Sequence, residues 1–198
     1  SLAGLASLHP KQRDGVYGTA VTMVQFLRQA ALLPWITPDP DRPEFSPDDF
    51  VRGRGTIYLL SKEGAGSARA ITAAMTVAIT RAAEQYATSQ PRGRLSVPLL
   101  CALDEAANIC RWPELPNLYS HYGSRGVILM TILQSWSQGV DVWGESGMKK
   151  LWSAANIAVY GGGVKEREFL DTLSALLGDY DKTTRSVSTS NHSRSVTH

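Results

Sequence analysis

Cysteine is nearly absent from the 198-residue chain: only Cys101 and Cys110 occur, without metal-ligand spacing. That excludes a disulfide framework and a cysteine-based zinc site, and it suits a reducing compartment where both thiols serve as small apolar residues. Charge of one sign is also lacking, since 20 basic and 18 acidic residues leave a net charge of +2. This balance gives no global attraction for nucleic acid, so any such contact has to come from a local patch. No apolar run is long enough to span a bilayer, and no signal peptide opens the chain. An initiator methionine is missing before Ser1, and the ending from Thr189 to His198 is polar and unpatterned, so both ends are expected to be cuts in a longer protein. The most consequential absence is the phosphate-cradling loop Gly-x-x-x-x-Gly-Lys-Ser/Thr, which occurs nowhere.

What is present suffices for a real core, with 43% hydrophobic residues in one domain or one domain with an appendage. Residues 15–33 carry apolar side chains at helical spacing, and Pro34 stops them. The proline-dense stretch 34–47 predicts an extended connection, closed by a capped turn at Ser46-Pro47-Asp48-Asp49. Residues 56–60, Thr-Ile-Tyr-Leu-Leu, have strand composition. An alanine-rich helix is expected over 67–88, with Ile71, Met75, Ile79, Ala82 and Ala83 on one face. Buried strands are expected over 97–103 and 127–133, with a short helix over 115–122 between them. A helix over 144–154, a short strand over 157–160 and an amphipathic helix over 166–177 come next, then one edge strand or a loose tail. Alternating strands and helices specify an α/β fold with a mainly parallel sheet flanked by helices.

The sharpest motif is the end of the first buried run, Leu103-Asp104-Glu105. Two carboxylates at the C-terminal end of a parallel strand sit where open α/β sheets place ligands. They have the local form of a Walker B element, in which the first acid holds hydrated magnesium and the second orients or deprotonates the attacking water. The next strand ends in Gln134, which places an amide beside the acids if the two strands are neighbours. Arg125 precedes that strand, at the opposite end of the sheet, where it is poorly placed for its own subunit's nucleotide but could reach a neighbour's in a ring. His121 lacks any accompanying nucleophile pattern.

Leu103-Asp104-Glu105-Ala106-Ala107-Asn108, then Leu115-Pro116, Tyr122-Gly123-Ser124-Arg125-Gly126 and Gln134-Ser135-Trp136-Ser137-Gln138 together resemble the TraG/TraD-type conjugative coupling proteins of type IV secretion systems. The similarity extends more loosely over residues 53–178 and includes Asn156 and Leu176-Leu177-Gly178. The resemblance implies part of a RecA-like P-loop motor, related to FtsK-type translocases and lacking its Walker A strand, loop and helix. It implies ATP and magnesium as cofactors of the full-length protein, with none held tightly by this piece. Asp104 would be the magnesium-side acid acting through water, Glu105 the catalytic acid and Gln134 the sensor. Asp104, Glu105 and Gln134 would contact the nucleotide, and Arg125 is an uncertain substitute for the family's trans-acting arginine. The implied partners are single-stranded DNA or relaxosome proteins, secretion-channel components and further copies in a hexamer. The implied location is the cytoplasmic portion of an inner-membrane-anchored protein. The corresponding division is an N-terminal helix and connection over 1–52, a motor-core fragment over 53–180 and a tail over 181–198.

Two other classes stay open at this point. A non-catalytic α/β scaffold or binding domain could keep the fold without the activity. A Rossmann-type site is suggested by Gly64-Ala65-Gly66 after a strand, although Arg69 stands where the third glycine belongs. Arg111-Trp112, Trp136 and Trp143 are candidate stacking contacts for single-stranded nucleic acid.

Overall fold

Proline and serine set the first boundaries. Helix α1 spans Pro10–Val24, and α2, Leu33–Ile36, has Pro34 in its first turn. Helix α3, Pro47–Arg52, starts as expected: Ser46 Oγ accepts the Asp49 N–H at 3.2 Å, and Asp48 and Asp49 lie at the positive end. The structure is a computed structural model and describes residues 9–24, 30, 32–61, 68–178, 186–190 and 193–197. The Gly64-Ala65-Gly66 loop therefore lies outside the described residues, as does part of the helix expected over 15–33. The chain divides into two units, residues 1–161 and 162–198.

In the first unit the expected alanine-rich helix is α4, Arg69–Thr88. Of the face expected to be buried, Ile79, Ala82 and Ala83 are buried and Ile71 and Met75 half-buried, and the buried face extends further to Thr72, Thr76 and Thr80. Threonine is tolerated there because Thr76 Oγ1 donates to Thr72 O, and Thr80 Oγ1 to Thr76 O, each at 2.8 Å. After the 3₁₀ turn Pro91–Gly93, strand β1, Leu99–Leu103, crosses through α5, Ala106–Ile109, and α6, Leu115–Arg125, to strand β2, Val127–Thr131. The strands pair in parallel, from Leu99 opposite Val127 to Leu103 opposite Thr131. Helix α7, Trp136–Ala154, comes after β2, capped by Ser135 and kinked at Gly144. The helix expected over 144–154 is thus the second half of a longer one.

The inward face of the strands meets Ala83 and Ala87 of α4, Leu115 and Tyr122 of α6, and Trp112 in one buried cluster. Tyr119 Oη ties α6 to the sheet by donating to Leu129 O at 2.8 Å. The opposite face was expected to be covered and is not: Leu100, Ile128 and Met130 are 58%, 44% and 47% exposed. The segments 56–60 and 157–160, expected as strands, carry no regular secondary structure and belong to no sheet. Their alternate apolar side chains Tyr58, Leu60, Ile157 and Val159 are all at least 80% exposed. No neighbouring strand among the described residues supplies the ladder hydrogen bonds that would make them strands.

The second unit holds α8, Arg167–Leu177, matching the amphipathic helix expected there. Beyond it, a hairpin of β3, Ser186–Ser190, and β4, Ser193–Thr197, replaces the single edge strand or loose tail. Among the described residues, no helix is long and apolar enough to cross a membrane. The α/β class with parallel strands is therefore observed in a two-stranded sheet, which is too small to identify a RecA-like one.

Candidate functional site

The parallel register brings the C-terminal ends of β1 and β2 together, and two further bonds carry the pairing past the strands. Ile132 N–H donates to Leu103 O at 3.0 Å, and Ala106 N–H donates to Ile132 O at 3.1 Å. The polar residues after each strand are thereby forced into contact. Gln134 Nε2 donates to Glu105 Oε1 at 2.5 Å, so the amide stands beside the acid as the strand order required. A charge-assisted bond of this kind is shorter and stronger than a neutral one.

Glu105 holds its position at a conformational cost. Its backbone lies in the left-handed region, at φ 48° and ψ 45°, immediately before α5. For a residue with a Cβ, that conformation costs roughly 1–3 kcal/mol and persists only where the surroundings enforce it. The bonds from Asn108 N–H and Ile109 N–H to Glu105 O, at 2.8 and 2.9 Å, are part of that enforcement. Asp104 is exposed, and its Oδ1 accepts the Glu105 N–H at 3.1 Å.

One member of the site was not foreseen. Gln138 Nε2 donates to Gln134 Oε1 at 3.4 Å, while the Gln138 backbone N–H is held by Ser135 Oγ at 3.2 Å. The first turn of α7 thus engages the carbonyl side of Gln134 and leaves its NH₂ side for Glu105. The Gln-x-x-x-Gln spacing across a serine cap was the available signal.

Among the described residues, no cluster of three or more histidine, cysteine or acidic side chains could hold a metal by itself. Magnesium needs only one or two protein carboxylates when phosphate and water supply its other ligands. The exposed Asp104 carboxylate fits that role. The chain's own sequence supplies no phosphate cradle to accompany it.

Arg125 is placed at the far end of β2 from Gln134, as its position before the strand implied. It is half-buried as the last residue of α6, and its Nη1 donates to Gly93 O at 3.1 Å. Arg94 makes the reciprocal contact, donating to Gly123 O at 2.7 Å. Both arginines clamp the entrance of β1 to the end of α6. His121 Nε2 lies 2.6 Å from Glu84 Oε1, linking α6 to α4 away from the acids.

The tryptophan expectation is corrected for Trp112. It is 2% exposed, packs at 5.8 Å from the Tyr122 ring and accepts the Trp143 indole N–H at its carbonyl. A sealed ring offers no stacking platform. Trp143 is half-buried through that same bond, and Trp136 stands edge-on to Trp152 at 5.8 Å. Burial also raises the thiol of Cys101 to about 11, with nearby Cys110 adding to it, so it is an inert apolar residue as expected.

A family model described as the TraM recognition site of TraD and TraG matches residues 98–198. That stretch contains both strands of the parallel pair and Asp104, Glu105, Arg125, Gln134 and Gln138. No curated protein and no solved structure matches the chain.

Proposed function

Because the chain belongs to the TraG/TraD family of conjugative coupling proteins, we propose that it is part of the ATP-hydrolysing motor that delivers DNA and protein to a secretion channel. The observation that carries this reading is the Gln134–Glu105 hydrogen bond between the ends of adjacent parallel strands. An acid and an amide so placed are the parts that a hydrolytic nucleotide site needs beside the terminal phosphate.

In that reading the fold is the Walker B half of a RecA-like domain, with residues 53–180 as its core fragment. ATP with magnesium, when bound, supplies the phosphoanhydride to be cleaved. Asp104 would hold the cation through its water shell. Glu105 takes a proton from the attacking water, and Gln134 fixes the carboxylate oxygen that does not. Arg125, far from its own acids, would serve a neighbouring subunit in a hexamer. The partners are a TraM-like relaxosome protein, single-stranded DNA and channel components, and the location is the cytoplasmic side of an inner membrane.

The test is Glu105→Gln in the full-length protein. Hydrolysis should cease while ATP binding is retained, because the substitution removes the base and leaves the amide contact. Hydrolysis at the parental rate would overturn the assignment. The 198-residue chain alone should show no turnover. A full-length protein that neither binds nor hydrolyses ATP would leave a non-catalytic scaffold as the better reading.

A further inference from the structure

A groove of about 380 Å³ runs between α4 and the turn over residues 111–114. Ala73, Ala74, Val77 and Ala78 form one stripe of α4 along it, and the turn of Arg111, Trp112, Pro113 and Glu114 forms the other side. Arg81 and Arg111 stand in its walls, and neither joins an ion pair among the described residues. Arg111 is fixed at its base, since its Nε donates to Ala107 O at 3.0 Å. That bond uses neither of the two terminal nitrogens of the guanidinium. Asp104, Glu105 and Gln134 do not line the groove, so a ligand held there is independent of the nucleotide reading.

We propose that this groove docks a protein segment that presents a carboxylate over small apolar side chains. The volume is at the small end for ligand sites and suits a few side chains of a helix or strand. The alanine stripe lets a backbone approach closely, and burying its apolar surface contributes the non-specific part of binding. Two guanidiniums with no carboxylate partner among the described residues supply the specific part, because a carboxylate can meet the planar fork in bidentate fashion. A nucleic-acid backbone suits the groove less well. Its floor is apolar, and only two cations line it against one acidic residue, Glu114, which is too few for a run of phosphates.

The experiment is calorimetric titration of the 198-residue chain with four probes. They are a short blocked alanine–leucine peptide with two glutamates one helical turn apart, its glutamine counterpart, inorganic phosphate and oligo-dT. The acidic peptide should bind about tenfold more tightly than the glutamine peptide. Arg81→Glu and Arg111→Glu, both at exposed positions, should remove that preference with the circular dichroism spectrum unchanged. Arg92→Glu, exposed and outside the groove, should leave it intact. A peptide with lysines in place of the glutamates should bind Arg81→Glu better than the parent, which a merely structural role for Arg81 would not produce. Equal binding of the acidic and neutral peptides, or none at all, overturns the proposal. Loss of oligo-dT or phosphate binding in the arginine variants, with no peptide binding, replaces it with an anion site.

Discussion

Glu105 combines a strained backbone with a functional side chain, and the two can be separated by substitution. Glu105→Gly removes the left-handed penalty at little steric cost, although glycine also loses more freedom on folding. The net expectation is a gain of up to about 1 kcal/mol in urea unfolding, alongside complete loss of any activity that needs the carboxylate. Cys101 gives a second prediction. Its thiol is raised from 9.0 to about 11 in the fold, so the folded state holds the proton more tightly than the unfolded chain. Its contribution to stability is full below pH 9 and is lost as pH rises toward about 11, readable from unfolding midpoints across that window. At neutral pH, iodoacetamide should label Cys101 only after denaturation. At this scale the sequence showed the acid pair and Gln134, because each ends an apolar run and polar residues there are conspicuous. It did not show Gln138 or the Glu84–His121 contact, since both depend on how separate helices face one another.

Among the elements, the junction of α6 and β2 is the most constrained. Gly126 ends the helix at φ 84°, and a Cβ there would meet the Leu95 Cβ at 3.2 Å and the Arg94 Cγ at 3.3 Å. Gly126→Ala should therefore lower stability by about 1–3 kcal/mol, through strain and crowding together. Ser135→Ala should cost about 1 kcal/mol by uncapping α7. It should also loosen Gln138, so a matched loss of activity beyond the stability change would show that the cap positions the Gln138–Gln134 pair. Element positions were legible where apolar periodicity and proline or glycine boundaries agreed, as for α4, α6, β1, β2 and α8. The expected face of α4 is buried at Ile79, Ala82 and Ala83, but its three buried threonines were not expected because hydropathy treats threonine as polar. Inside a helix, its hydroxyl is satisfied by a carbonyl of the preceding turn, and the remainder packs as a small apolar group.

For the molecule as a whole, the uncovered sheet face is the dominant fact. Leu100, Ile128 and Met130 project to solvent, and Tyr58, Leu60, Ile157 and Val159 are exposed as well. A hydrophobic dye such as anilinonaphthalene sulfonate should bind the native chain, and Ile128→Thr with Met130→Thr should weaken its signal without lowering the unfolding midpoint. An unchanged signal would place the dye elsewhere. The parallel α/β class was readable because it is set by element order alone. The pairing of segments 56–60 and 157–160 was not, because a strand is defined by its neighbour as much as by its own residues.

The direction of β1 and β2 has a mechanical side. Both strands start at the end fastened by Arg94 and Arg125, and both finish at the acids. A pull that reaches β1 at Leu99 and β2 at Thr131 draws the strands past each other along their length. The ladder bonds then share the force and must yield together, where a pull from one common end would open them singly. Force transmitted along the chain to this pair would therefore load the whole ladder that ends at Asp104 and Glu105, keeping the acids in register under tension.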